Sequence, residues 1–156
     1  MHSNELFMKQ AISKARKGIN RGQSPFGACI VKGKKVIALA HNTVFSAVDS
    51  TAHAEINAIR MACRKLKTID LSGCTIYSTT EPCPMCFAAI HWAKIRKIVF
   101  GTSISDVGKL GFSEILLTNR RFNRINGNKM KITSGFMKAE CAELLKEWKK
   151  KSGKTY

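Results

Sequence analysis

Acidic residues are scarce in this 156-residue chain: 10 Asp and Glu stand against 27 Lys and Arg, a formal net charge of +17. A field of that sign attracts nucleic acid or phosphorylated substrates. The cations crowd the C-terminal third, from Arg120 and Arg121 through Lys149, Lys150, Lys151 and Lys154. They are not interleaved with aromatics, however, as stacking on a single strand would require, so a solvated lysine-rich face stands slightly ahead of nucleic-acid binding, with a tRNA substrate left open. The chain also lacks an apolar run of signal or membrane-spanning length, and it opens on the polar Met1-His2-Ser3-Asn4-Glu5. A cytoplasmic protein that does not engage a membrane is the expectation. No internal repeat or low-complexity segment is present. At 156 residues and 44% hydrophobic content, a single domain over 1–156 with a real core is expected, and a second domain is not. Six cysteines without a secretion signal argue against a disulfide framework. Cys29, Cys63, Cys74 and Cys141 fall in apolar stretches and read as small core residues.

What the chain does have is a set of soft metal ligands. Thr51-Ala52-His53-Ala54-Glu55 supplies one imidazole, and Pro82-Cys83-Pro84-Met85-Cys86 supplies two thiolates two residues apart. Structural zinc sites usually fill four tetrahedral positions with protein, whereas a three-ligand site leaves the fourth for water, whose pKa the metal lowers from 15.7 to roughly 7. His53, Cys83 and Cys86 are the expected ligands of one zinc ion per chain. Using such a water as a nucleophile also needs a proton carrier. Glu55, two residues past His53, can serve without competing for the metal. A Cys-x-x-Cys alone reads equally as half a structural zinc site or a redox pair; a structural site would want a fourth ligand and leave Glu55 without a task. His41 reads as a strand-end residue and His91 as a core or pocket-adjacent one, and either could add to the ligand count.

Periodicity places these groups. Asn4 to Ile19 carries an apolar stripe of Phe7, Ala11, Ile12, Ala15 and Ile19, an amphipathic first helix. Phe26 to Val31 and Val36 to Ala40 read as a β-hairpin around Lys32-Gly33-Lys34-Lys35, too apolar for a sheet with a wet face. Ile56, Ile59, Ala62, Cys63 and Leu66 recur at helical spacing behind His53, with Thr51 as the expected N-cap. A strand from Cys74, a helix from Pro84 and a strand from Lys97 to Gly101 form a β-α-β unit with parallel strands. Cys83 and Cys86 then lie at a helix N-terminus, which favours thiolates. Beyond Gly101 the pattern predicts one helical turn within Asp106 to Phe112, short β pieces at Ile115 to Leu117 and Lys131 to Thr133, and a last helix from Met137 to Lys150.

His-x-Glu followed by Pro-Cys-x-x-Cys resembles the known signature of the zinc-dependent nucleobase deaminases. The resemblance runs from about Leu6 to Gly111. Ser24-Pro25-Phe26-Gly27-Ala28, Asn42 and Glu81-Pro82-Cys83-Pro84-Met85-Cys86 look most like bacterial guanine deaminase, with tRNA-specific adenosine deaminases as close relatives. It implies a three-layer α/β/α sandwich with a mixed sheet of about five strands, a homodimer, and hydrolytic deamination of a purine base, guanine to xanthine first. The alternative is adenosine-to-inosine deamination of tRNA at the anticodon. By similarity, Asn42 meets the edge of the base, Phe26 lines the pocket, Trp92 lies against the flat substrate, and the Ala54 backbone orients it. Where guanine deaminases carry a base-reading aspartate this chain has Ser113-Glu114, a departure that bears on strict guanine specificity, and Glu143 on the last helix is a substitute proton carrier. The terminal tyrosine of that relative caps the neighbouring subunit's site, so Tyr156 is expected either to do so, with about 137–156 exchanged between subunits, or to end a frayed tail. Phe26 narrows the mouth that a flipped nucleotide must pass, where tRNA enzymes usually carry valine.

Overall fold

A computed structural model describes residues 3–156 as a five-stranded sheet between two layers of helices. Helix α1 (Ser3–Ile19) leads into the hairpin β1 (Gly27–Lys32) and β2 (Lys35–His41), and then a single turn, α2 (Val44–Ala47). Helix α3 (Ala54–Leu66), strand β3 (Cys74–Thr80), helix α4 (Pro84–Trp92) and strand β4 (Lys97–Thr102) follow. The remainder comprises α5 (Ile104–Gly108), α6 (Asn119–Ile125), β5 (Lys131–Thr133) and α7 (Lys138–Lys150).

The strand order is β2-β1-β3-β4-β5, antiparallel from β2 to β3 and parallel from β3 to β5. The expected β-α-β crossover is therefore the point at which the sheet changes character. Strand alternation divides the core into two layers. Ala28, Ile30 and Ile76 face one core with Ala54, Ala58 and Ala62 of α3 and Phe87 and Ile90 of α4. Cys29, Val31 and Tyr77 point the other way, toward Met8, Ala11 and Ala15 of α1 and Leu144 and Trp148 of α7. Small residues let the layers approach closely. A Cβ on Gly101 would lie 2.3 Å from Cys141 Sγ and 2.8 Å from the Thr79 carbonyl oxygen, so β4 and α7 touch through hydrogen alone. All six cysteines are free, and Cys29, Cys74 and Cys141 are buried.

Two expectations are corrected. Ile115 to Leu117 is not a strand: the backbone is irregular there, and Ile115 and Leu116 are 68% and 76% exposed because β5 already takes the sheet edge. Thr51 does not cap α3. Its N–H and hydroxyl both donate to Asp49 Oδ1 in the preceding turn, and the N-cap is His53. Helix α6, which periodicity did not reveal, starts at Thr118, whose hydroxyl accepts the Arg121 N–H. Among the described residues, no helix is long and apolar enough to cross a membrane.

Candidate active site

Two helix starts face each other over the end of β3. His53 is the N-cap of α3 at φ −66° and ψ 157°, and Cys83 is the N-cap of α4 at φ −63° and ψ 167°. Neither side chain makes the usual N-cap hydrogen bond to a backbone N–H of its helix. Instead both turn inward. Pro84 fixes the first position of α4, where its missing N–H costs nothing, and Cys86 lies in that same first turn.

His53 Nδ1 lies 3.6 Å from Cys83 Sγ and 3.6 Å from Cys86 Sγ, and the three ligand atoms all fall within 4.8 Å of one another. Tetrahedral zinc with N and S at their usual bond lengths of about 2.0 and about 2.3 Å separates those atoms by about 3.6 Å. The residues fit the ion, and this is the zinc site of the chain. No other cluster of metal-ligating side chains forms among the described residues. His41 instead bonds the Asn42 carbonyl through Nδ1, and His91 pairs with the Asn126 side chain between α4 and α6.

Glu55 is buried beneath the triad. Its Oε1 accepts the Ser78 hydroxyl at 2.9 Å, while Oε2 lies 3.4 Å from Cys86 Sγ on the side of the ligands. Burial, reinforced by the Cys83 charge, raises its carboxyl above the ordinary value, which suits a group that must hold and release protons. The hydrogen bond shared with Cys86 draws the Cys83 thiol down to about 4 and pushes Cys86 well up. Burial lowers the His53 imidazole, but Cys83 and Glu55 outweigh it and the net shift is upward.

The pocket above is aromatic. Phe26 stands edge-on to Phe112 at 5.3 Å, and Phe112 meets Trp148 at 5.1 Å and Tyr156 at 5.5 Å. Asn42, fully buried, accepts the Val44 N–H with Oδ1 at 3.0 Å and donates from Nδ2 to the Tyr156 hydroxyl at 2.7 Å. Ala54 opens α3, so its N–H is one of the first-turn amides that the helix itself leaves unused. Glu114 lines the same space, and burial first, then the Cys83 charge, lift its carboxyl to about 7. Tyr156 is 5.7 Å from the His53 ring, so in this chain the tail folds over its own site. Gly153 makes that path possible, since a Cβ there would fall 2.0 Å from Trp148 Nε1. With Tyr156 seated, the space over the ligands is about 20 Å³, room for one water. A larger cleft of about 260 Å³, lined by His53, Cys83, Met85, Phe112, Glu114 and Tyr156, opens beside it on the same ligands.

Two expected pocket residues are not there. Trp92 ends α4 with 79% of its surface exposed and lines neither space; its ring packs against His91 at 5.8 Å. Glu143 lies on the outer face of α7, exposed and ion-paired with Lys146 at 2.7 Å, because the buried stripe of that helix is Cys141, Leu144, Leu145 and Trp148. Phe112, in a stretch with no periodic pattern, is a pocket wall.

Residues 1–102 match the zinc-binding region of the cytidine and deoxycytidylate deaminases. The tRNA-specific adenosine deaminase of Bacillus subtilis is 39% identical over 145 residues, 93% of this chain and 88% of the relative. Guanine deaminase of the same bacterium is 42% identical over 113 residues, 72% of each chain. A solved structure of guanine deaminase from Nitrosomonas europaea aligns with a TM-score of 0.81 at 30% identity, over 92% of this chain and 83% of that one. One from a study of tRNA:A34 deaminases gives 0.77 at 35%, over 90% and 99%.

Proposed function

We propose that this chain, which belongs to the cytidine and deoxycytidylate deaminase zinc-binding family, hydrolyses the exocyclic amine of a free purine base, guanine to xanthine and ammonia in the first instance. The observation that carries this reading is Glu114, a carboxyl that lines the same space as His53, Glu55 and Cys83. A free base presents a ring N–H on its imidazole side that such an oxygen accepts, and a nucleoside has that nitrogen blocked. Asn42 supplies a second polar contact to the base edge, through the Nδ2 that Tyr156 now holds. The flat walls of Phe26 and Phe112 suit a purine.

Bound by His53, Cys83 and Cys86, zinc supplies the Lewis acidity that makes water nucleophilic near neutral pH. Glu55 takes the proton of the attacking water at Oε2, the oxygen not engaged by Ser78, and delivers protons to the ring nitrogen and the departing amine. The Ala54 N–H at the start of α3 helps hold the base in register. Phe26, Phe112 and Tyr156 exclude bulk water, which strengthens each polar contact inside. Tyr156 must shift for a base to reach Asn42, because its hydroxyl accepts the Asn42 Nδ2 hydrogen bond at 2.7 Å.

A homodimer completes the reading. Met85 and Trp92 lie seven residues apart on one outward face of α4, with Ile115 beside Met85 at the larger cleft, and a second copy would cover them. In such a dimer residues 137–156 could be exchanged, Tyr156 serving the partner's pocket. Free thiols and a purine substrate fit a cytoplasmic enzyme. The second reading, adenosine-to-inosine deamination at a tRNA anticodon, draws on the charge of +17 and the similarity to tRNA-specific deaminases. Ammonia release from zinc-loaded protein, with guanine, guanosine, adenine, adenosine, cytosine and an anticodon stem-loop as substrates, separates the two. Turnover of guanine supports the free-base reading, and turnover of the stem-loop alone replaces it with the second.

A further inference from the structure

Beside the zinc ligands, and lining the same small space, lies a buried carboxyl group both of whose oxygens accept backbone N–H groups. Glu81, two residues before Cys83, is 6% exposed. Its Oε2 accepts the Ile104 N–H at 3.1 Å and its Oε1 accepts the Asn119 N–H at 2.8 Å. Its own N–H donates to the Thr102 carbonyl at 2.7 Å. Asn119, fully buried, reciprocates by donating from Nδ2 to the Pro82 carbonyl at 2.6 Å. The Glu81-Pro82 step is thereby tied to both ends of the segment from Ile104 to Asn119.

That segment carries the pocket wall. Between α5 and α6 its backbone bonds are local: Gly111 to Gly108, Glu114 to Phe112, and Leu117 to Ile115. No strand pairing holds this stretch: the Phe112 ring is seated against Phe26, Trp148 and Tyr156, and the backbone on either side of it is held where the two ends of the segment are fastened. We propose that Glu81 and Asn119 are positioning residues: a clamp that holds the Phe112–Glu114 wall at a fixed distance from Cys83 and so sets the fit of the base. The chemistry of Glu81 matches the task. Both partners are N–H donors, so two acceptor oxygens are required, and an amide in their place would aim an NH2 group at one of them.

The inference rests on the base-binding reading of the pocket, so its test includes a readout that needs no substrate. Glu81→Gln preserves shape and leaves one buried donor unsatisfied. In the zinc-loaded full chain it is expected to keep one zinc per chain and to raise hydrogen–deuterium exchange across 104–119 by about tenfold or more. The KM for the base that wild type turns over should rise by about tenfold, with kcat within about threefold. Asn119→Ala loses the Pro82 bond but keeps its own N–H on Glu81, and should show the same pattern more weakly; if Glu81→Gln does not fold, this variant decides. Unchanged exchange in 104–119 overturns the clamp. So does an unchanged KM accompanying lower thermal stability, or loss of zinc with a fall in kcat. A wild type that deaminates no free base refutes the function proposed above while the exchange arm still judges the clamp.

Discussion

Replacing Glu55 by glutamine isolates proton transfer from everything else in the site. The two side chains have one shape, and the Ser78 hydroxyl that donates to Oε1 at 2.9 Å can donate equally to an amide oxygen. Glu55 is not one of the three ligand atoms, so zinc should remain at one per chain. The fold should not suffer either. Burial raises the Glu55 carboxyl above its ordinary value, which means that the folded state favours its neutral form, and glutamine is neutral at every pH. By linkage, the wild-type contribution is fully present below the unfolded pKa and is lost as pH rises through the raised folded value. In the zinc-free protein, Glu55→Gln should therefore match or exceed wild type in thermal stability above that range. Catalysis is another matter. A positioned acid–base group contributes about 10²- to 10⁴-fold, or about 2.7 to 5.5 kcal/mol of barrier. Here one carboxylate serves both the attacking water and the leaving amine, so the upper half of that range is expected. The assay is single-turnover ammonia release at saturating base, alongside metal content and a melting curve. Activity within tenfold of wild type would remove Glu55 from the mechanism, and loss of zinc would mean that it supports the ligands instead.

Other outcomes follow from the same geometry. After chelation of zinc, mapping by iodoacetamide near pH 6 should label Cys83, held at about 4, and spare Cys29 and Cys141, which burial lifts to about 12; equal labelling would refute the electrostatics described here. Gly101→Ala should cost about 1–3 kcal/mol in denaturant titration, because its methyl has no room against Cys141 and the Thr79 carbonyl; an unchanged midpoint would show that α7 can lift. Glu143→Gln should leave kcat and KM within about twofold, since the side chain is exposed on α7, and a larger loss would return Glu143 to the list of proton carriers.

The sequence made the metal site legible because its ligands sit at helix starts, where local pattern and chemistry coincide: His53 before an apolar-periodic run, Cys83 before Pro84. The hairpin and the β-α-β unit were legible for a similar reason, as each is continuous in the chain and apolar on both faces. The wall was not. Residues 109–118 have neither period, and what places Glu114 is a pair of hydrogen bonds made by Glu81, far off in sequence. Trp92 misled because an aromatic beside a metal motif resembles a substrate contact, yet it closes α4 on the side away from the pocket. Thr51 lost the cap because the turn through Asp49 claimed it and the metal site needed His53 there. Ser103 carried a legible signal that went unused: Ser-x-x-Asp is a capping box, and Asp106 completes it at the start of α5.

All three zinc ligands precede Trp92, whereas Phe112, Glu114 and Tyr156 come later. During translation this imposes a sequence of events. The hairpin, α3, β3 and α4 leave the ribosome first, so the parts that can capture an ion are complete while the wall and the lid are still unmade. Metal loading can thus happen through an open site. The tail that carries Tyr156 over that site is made after the ligands, so its closure follows the capture of the ion instead of barring it.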